Sequence, residues 1–264
     1  MFEELYTPIP DLAKYFDRIN LKCPVSCDLE SLNSIILAHQ YNVPFENLDI
    51  HDDHLPISIS IEILFEKIVT RKRGGYCFEL NSLFSRALDA CGYEVFSCLA
   101  RDVLEDGSMF PAIHRLPIVT IDDTQYICDV GYGRVQPGCA LKLEDGFTII
   151  DNNKTFLVEN IDKEERIWRV SFMSTGKNEW EPNIDFTLSK IEEVDFLAPN
   201  FFCCTDSKIK FVTDRIVNIR TKSGSMSIYN DIFTINENGE KTVTQIKDAE
   251  HLKQVLSSHF GIEK

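Results

Sequence analysis

The chain has 264 residues, 44 % of them hydrophobic, enough for one large or two to three small domains around a sizeable core. Its net charge of −15 excludes the basic face a nucleic-acid binder needs, and no apolar run approaches the ~18 residues of a membrane helix. The N-terminal Met-Phe-Glu-Glu-Leu-Tyr-Thr-Pro lacks the basic-then-apolar layout of a secretory signal, so the nine scattered cysteines, with no C-x-x-C pair, read as reduced thiols of a cytoplasmic protein.

In chain order, the first ~90 residues carry helical periodicity. Leu12, Tyr15, Phe16 and Ile19 form one stripe; Leu29, Leu32, Ile36 and His39 form a second; Ile61, Leu64, Phe65 and Ile68 form a third. Cys23 and Cys27 are spaced to meet on a helix, although Pro24 stands between them. Residues 42–54, with Pro44, Asn47 and a run of charges, read as a loop. The fourth stripe is Leu80, Leu83, Phe84, Ala87 and Leu88, ended by Gly92 as a C′ residue. After Gly92 the pattern turns to strands. Residues 93–103, 113–121, 124–130, 147–150, 155–158, 167–173 and 184–188 are apolar or alternating runs, with a loop at 104–110 around Gly107 and a hairpin turn at Asp122-Asp123. A short helix is expected at 191–197 before Pro199, then strands at 209–220, 226–230, 232–235 and 241–246, and a last helix at 248–260 ended by Gly261. Helices, then strands, then a mixed segment make an α+β layout rather than repeated βα units.

The chemistry gathers at Arg71 to Asn81, which reads R-K-R-G-G-Y-C-F-E-L-N. Gly74 and Gly75 allow a sharp backbone turn before the helix. Cys77 then falls in or just before the first turn, where free N–H groups and the positive dipole end favour a thiolate. A cysteine nucleophile needs a base, and the base an orienter. Of the six histidines, His39 reads as half-buried packing and His251 and His259 as solvated. His51 and His54 flank Asp52-Asp53, but an H-x-x-H pair without a clearly spaced third ligand is weak evidence for a metal, and no metal site is assigned. His114 stands at the mouth of a strand. With a two-residue turn at 122–123, residue 116 faces residue 129 and His114 shares their face, so Asp129 lies diagonally across from it, within ~7–8 Å. A carboxylate among apolar strand residues is costly unless paired, which favours a His114–Asp129 pair over a simple turn cap.

These residues carry a resemblance that runs nearly end to end. R-G-G-Y-C-F-E at Arg73 to Glu79, V-P-F-E-N-L at Val43 to Leu48, and H-R-L-P-I-V at His114 followed by Y-I-C-D-V-G-Y-G through Asp129 and Gly133 resemble the motifs of the arylamine N-acetyltransferases. The resemblance implies a Cys77–His114–Asp129 triad and a three-part fold with a cysteine-protease-like core: a helical bundle (1–91), a β-barrel (92–200) and an α/β lid (201–264). It implies that an acetyl group passes from acetyl-CoA to Cys77 and on to an arylamine, hydrazine or arylhydroxylamine. Phe45 and Tyr132 are implied to line the acceptor site, Gly131, Gly133, Phe202 and Thr205 to approach the coenzyme, and Arg73 and Glu46 to form an ion pair bracing the cysteine loop. Small molecules are the implied partners, with no nucleic acid, membrane or metal. The segment 202–211 keeps Phe202, Thr205 and Phe211 but has Cys204, Ser207 and Ile209 where the family more often has Ser, Pro and Ser. Ile113 stands where a hydroxyl residue is common, Tyr132 where Phe is frequent and Arg134 where Gly is frequent. The same Cys, His, Asp order also serves amide synthases and papain- or transglutaminase-type hydrolases, the alternative readings.

Overall fold

The computed structural model describes residues 1–21, 26–104 and 108–263. Cys23, Pro24 and Gly107 lie outside the described residues, and with them the expected meeting of Cys23 and Cys27. The N-terminal part contains α1 (Leu12–Arg18), α2 (Leu29–Asn42), a two-residue strand β1 (Phe45–Glu46), α3 (Leu48–His51), α4 (Ile61–Phe65) and α5 (Cys77–Ala90). Eight strands follow: β2 (Glu94–Asp102), β3 (His114–Ile121), β4 (Thr124–Ile127), β5 (Leu141–Lys142), β6 (Phe147–Asp151), β7 (Lys154–Asp162), β8 (Ile167–Ser174) and β9 (Glu181–Thr187). The chain ends with α6 (Leu197–Thr205), α7 (Lys210–Thr213), β10 (Ile216–Thr221), β11 (Gly224–Tyr229), β12 (Ile232–Glu237), β13 (Glu240–Gln245) and α8 (Ala249–Val255). This is an α+β fold: helices, barrel, then a sheet with helices.

The eight barrel strands pair antiparallel in the order β5-β4-β3-β2-β9-β8-β7-β6, and the end strands β5 and β6 approach each other to leave the barrel nearly closed. Its interior is filled by inward-facing residues such as Cys98, Leu116, Ile118, Phe156, Val170 and Phe186. The second sheet has the order β1-β10-β11-β12-β13. Its first strand comes from the N-terminal part, and Phe45 also bridges to Gly75 in parallel. The loop before Cys77 is thus tied through main-chain hydrogen bonds to the C-terminal sheet. Against that sheet α8 buries Val255, and the following turn buries Leu256 and Phe260.

Local signals explain most of the elements. Asp28 and Asp248 cap α2 and α8 by accepting the N–H groups of Ser31 and His251. Gly92 and Gly261 stop helices with φ of +95° and +66°. Asp122 and Asp123 both have positive φ, 47° and 62°, the type I′ geometry that suits a twisted hairpin. Three expectations need correction. Residues 209–220 are not one strand: α7 and a turn precede β10. The side chain of Asn47 holds that turn, donating to the Phe211 and Asp214 carbonyls at 2.7 and 2.8 Å and accepting the Ile216 N–H at 2.7 Å. A helical turn at Glu193–Phe196 runs on into α6 past Pro199, whose missing N–H falls in the first turn and costs no bond. Finally, the burial of α5 is not confined to the stripe Leu80, Leu83, Phe84, Ala87 and Leu88: its buried residues run from Cys77 through Ser85 and include Glu79, Asn81 and Ser82.

Asn47→Ala should lower stability by about 1–3 kcal/mol, because it strands half-buried main-chain groups at the junction of the first and last parts of the chain. Urea unfolding reads it as a lower midpoint at unchanged slope; an unchanged midpoint shows that the turn holds itself.

Candidate active site

The backbone before Cys77 turns at Lys72, not at the glycines: Lys72 has φ of +54°, whereas Gly74 and Gly75 do not adopt positive φ. The glycines are needed for space. A Cβ at Gly74 falls 2.0 Å from the Pro44 carbonyl oxygen, and one at Gly75 falls 2.8 Å from the Glu79 Cβ. Beneath this loop lies a buried ionic cluster. Lys67 Nζ is 2.7 Å from Glu79 Oε1 and 2.7 Å from Asp49 Oδ2. Arg73 donates to Glu46 Oε1 at 2.9 Å and to Asp49 Oδ1 at 2.8 Å. The Glu46–Arg73 pair is the one the resemblance implies; Lys67, Asp49 and Glu79 extend it. Glu79 Oε2 accepts the Tyr76 N–H at 3.0 Å, a capping-box arm that starts α5. Burial works against charge on Lys67, but Glu79, Glu46 and Asp49 hold its ammonium above the usual range. Burial also pushes the Asp49 carboxyl up, yet Lys67 and Arg73 outweigh it and hold it at about 2.

Cys77 is the first residue of α5, with its thiol directed at the Ile113 carbonyl at 3.8 Å and near enough to His114 for the two groups to influence each other's protonation. His114 opens β3, and its Nε2 lies 2.6 Å from Asp129 Oδ2. The ladder pairs Ile118 with Ile127, and the Cys128 N–H continues it to the Pro117 carbonyl, so the register is the one that sets 116 opposite 129. Asp129 Oδ1 accepts from Asn81 Nδ2 at 2.9 Å and from the Gly131 N–H at 2.9 Å. His114 and Asp129 are both buried. Burial lowers the His114 pKa, but the Asp129 charge and hydrogen bond prevail and push it up to about 10. Burial pushes the Cys77 thiol up, and the hydrogen bond and charge of His114 pull the other way. The helix entry, expected to favour a thiolate, does not prevail: burial is the largest influence and holds the thiol above its ordinary value, with His114 opposing it in part.

A family model described as N-acetyltransferase matches residues 28–263. The chain belongs to the arylamine N-acetyltransferase family. A Salmonella typhimurium arylamine N-acetyltransferase / N-hydroxyarylamine O-acetyltransferase is 30 % identical over 257 residues, covering 95 % of this chain and 88 % of that protein. The structure of the arylamine N-acetyltransferase from Salmonella typhimurium superposes with a TM-score of 0.88 at 29 % identity, covering 97 % of this chain and 92 % of that one. A Mycobacterium marinum arylamine N-acetyltransferase in complex with CoA gives 0.87 at 28 % identity, covering 96 % and 93 %.

For an arylamine N-acetyltransferase the decisive space is the cleft of about 820 Å³ that has Cys77 and His114 among its lining residues. Phe45 and Tyr132 line it as well, Phe45 packing against Phe211 and Tyr132 standing edge-on to His114 at 5.2 Å. The Tyr132 hydroxyl donates to Asp102 Oδ1 at 3.0 Å, and Arg134 pairs with the other oxygen of that carboxylate at 3.3 Å. Gly133 lines the cleft with φ of +74°, and a Cβ there falls 2.5 Å from the Phe45 ring. Gly131 instead backs onto α5, where a Cβ meets Asn81 and the Cys77 Cα at 3.2 Å. Phe202 and Thr205 are not among the lining residues. Both still belong to α6, and the Thr205 hydroxyl turns back to the Phe201 carbonyl. Only after Asp206 does the chain reach the cleft, with Lys208, Ile209, Lys210 and Phe211.

Asn81, Gln40 and Lys67 were not singled out from the sequence. Asn81 is one turn beyond Cys77 and fastens Asp129, the Arg115 carbonyl and the Val130 N–H, while Gln40 Nε2 holds the Asp129 carbonyl at 3.1 Å. The available signal was a polar residue inside an apolar stripe. His39 is fully buried, bonded to the Tyr15 hydroxyl at 2.8 Å, and burial drives its pKa down to about 3. His51 pairs with Asp52. Among the described residues no three His, Cys, Asp or Glu side chains gather as metal ligands.

The raised His114 pKa fixes the sign of a stability test. The stabilisation is full below the unfolded value near ~6.5 and is lost as pH rises through about 10. The stability gap between wild type and Asp129→Asn should therefore be widest at and below ~6.5 and narrow toward pH 10. A gap constant over that range, in denaturant melts at several pH values, shows that the imidazolium is not held by Asp129.

Proposed function

We propose that the family reaction, acetyl transfer to an arylamine, runs here as two transfers through Cys77, with His114 as acid and base and Asp129 as its orienter. The observation that carries this reading is the 2.6 Å His114–Asp129 bond with Cys77 and His114 lining one cleft and influencing each other's protonation. In the first transfer the Cys77 thiolate attacks the thioester carbon of acetyl-CoA. The carbon–sulfur bond to CoA breaks, and the departing CoA sulfur takes the proton from His114. In the second the arylamine, hydrazine or arylhydroxylamine attacks acetyl-Cys77, His114 accepts the proton released by the nucleophile, and the Cys77 thiolate leaves. The Cys77 N–H, one of the first-turn groups with no intrahelical acceptor, is the donor proposed for the oxyanion. CoA is assigned as co-substrate by analogy with the Mycobacterium marinum complex. The cleft has room for its thioester arm, and Lys208 and Lys210 on the exposed side offer cations to its phosphates in an otherwise acidic chain. Phe45 and Tyr132 are assigned to the acceptor ring.

Acetyl-CoA alone should leave one acetyl group on the Cys77 peptide, removed on adding an aromatic amine, and initial-rate plots should be parallel lines. Intersecting lines with no acetylated peptide in a rapid quench indicate direct transfer; acetate release independent of amine indicates a hydrolase. Asp129→Asn should cost up to ~10⁴-fold in turnover, as wrong tautomers do in serine triads; near-normal turnover in the folded variant removes Asp129 from the triad.

A further inference from the structure

A second thiol meets the nucleophile's own acceptor. Cys77 Sγ lies 3.8 Å from the Ile113 carbonyl oxygen, and Cys203 Sγ lies 3.9 Å from the same atom. Cys203 is in the second half of α6, fully buried, on the face that packs into the N-terminal core. Its neighbour Cys204 points elsewhere, to the Tyr76 hydroxyl at 3.6 Å. Cys98 is inside the barrel, and Cys27 donates to the Cys91 carbonyl. Only Cys77 among these lines the cleft.

We propose that Cys203 is a resolving thiol for an oxidised Cys77, so that hydrogen peroxide entering the cleft is converted into an intramolecular Cys77–Cys203 disulfide. The Cys77 thiolate attacks one peroxide oxygen, the O–O bond breaks, and the departing hydroxide takes the His114 proton and leaves as water. Cys77 is now a sulfenic acid. The Cys203 sulfur attacks the Cys77 sulfur, the S–O bond breaks, and the Cys203 proton leaves with the hydroxide as a second water. Peroxide is reduced to two waters and two thiols are oxidised to one disulfide; an external dithiol reverses the step by exchange. Both sulfurs must swing off the Ile113 oxygen to reach the ~2.05 Å bond length. Burial pushes the Cys203 thiol far up, so it stays protonated and does not compete as the first target. The disulfide blocks transfer but keeps Cys77 from the irreversible sulfinic acid.

The inference rests on Cys77 being the reactive thiol, which acetylation by acetyl-CoA reads separately. The full chain is treated with hydrogen peroxide without acyl donor, alkylated under denaturing conditions, and peptide-mapped before and after dithiothreitol. The expected result is a Cys77–Cys203 linked peptide pair, loss of both from alkylation, and return of lost activity with dithiothreitol. Cys203→Ser should keep basal turnover, yet after the same dose should lose most of the recoverable activity and carry sulfinic acid at Cys77; Cys204→Ser should behave as wild type. The proposal is overturned by a Cys203 that stays alkylatable after Cys77 is oxidised, by a Cys77–Cys204 link, or by full recovery in Cys203→Ser. An unmodified Cys77 overturns it as well, and acetylation then tells whether the transfer reading falls with it. If Cys203→Ser does not fold, the wild-type map decides.

Discussion

Glu79 holds Cys77 in place from below. One carboxylate oxygen receives the Tyr76 N–H that opens α5, and the other receives the buried ammonium of Lys67. Removing one member of such a buried pair leaves an uncompensated charge, an effect of about 3–5 kcal/mol. Here the damage would not stay local. Lys67 also holds Asp49, Asp49 holds Arg73, and Arg73 holds Glu46. Glu46 lies in β1, whose other face of hydrogen bonds belongs to β10 of the C-terminal sheet. The position of Cys77 is therefore set jointly by the helical core and by the sheet that walls the cleft.

From that fixed start, α5 serves as a ruler. Asn81 follows Cys77 by four residues, about one turn, and so lies on the same face. That places its amide against Asp129, the Arg115 carbonyl and the Val130 N–H. The barrel hairpin brings His114 and Asp129 together by register alone, but the hairpin as a whole is docked on α5 through Asn81. Gly131 has no side chain because Asn81 and the Cys77 backbone fill that space. Next to His114, the buried guanidinium of Arg115 bonds Ser82 of α5, Ser97 of β2 and the Glu193 carboxylate, and lies 4.4 Å above the Phe196 ring. Helix, barrel and the start of α6 thus share one clamp beside the reactive groups.

The parts legible in the sequence were those set by neighbours in the chain. The start of α5 at Cys77, its stop at Gly92 and the two-residue turn at Asp122-Asp123 follow from short-range backbone chemistry, and the turn then dictates which residues face each other across β3 and β4. Contacts of long sequence separation left weaker marks. Asn47 reaches the turn at 211–216 across more than 160 residues, and β-branched Val212, Thr213, Ile216 and Val217 disguised that turn as strand. Phe202 and Thr205 lie in the segment the motif marks, but the helix delivers Cys203 inward and leaves the cleft to residues 208–211. Lys67 and Asn81 sat inside apolar stripes as polar exceptions, and their partners come from loops and strands that periodicity does not place.

Burial and reactivity pull in opposite directions at Cys77. A thiol closed off by the core and the cleft walls is harder to ionise, and burial is the largest influence on it. The charge of His114 beside it opposes this in part, but an imidazole as buried as His114 resists protonation for the same reason. The conflict is resolved only at Asp129, a carboxylate fixed by a ring nitrogen, a side-chain amide and a backbone N–H. Such a carboxylate keeps its geometry. The helix entry contributes position more than acidity. The counter-charge comes from the barrel side, through a chain of contacts that runs from Asn81 to Asp129 to His114 and back to the helix from which Asn81 came.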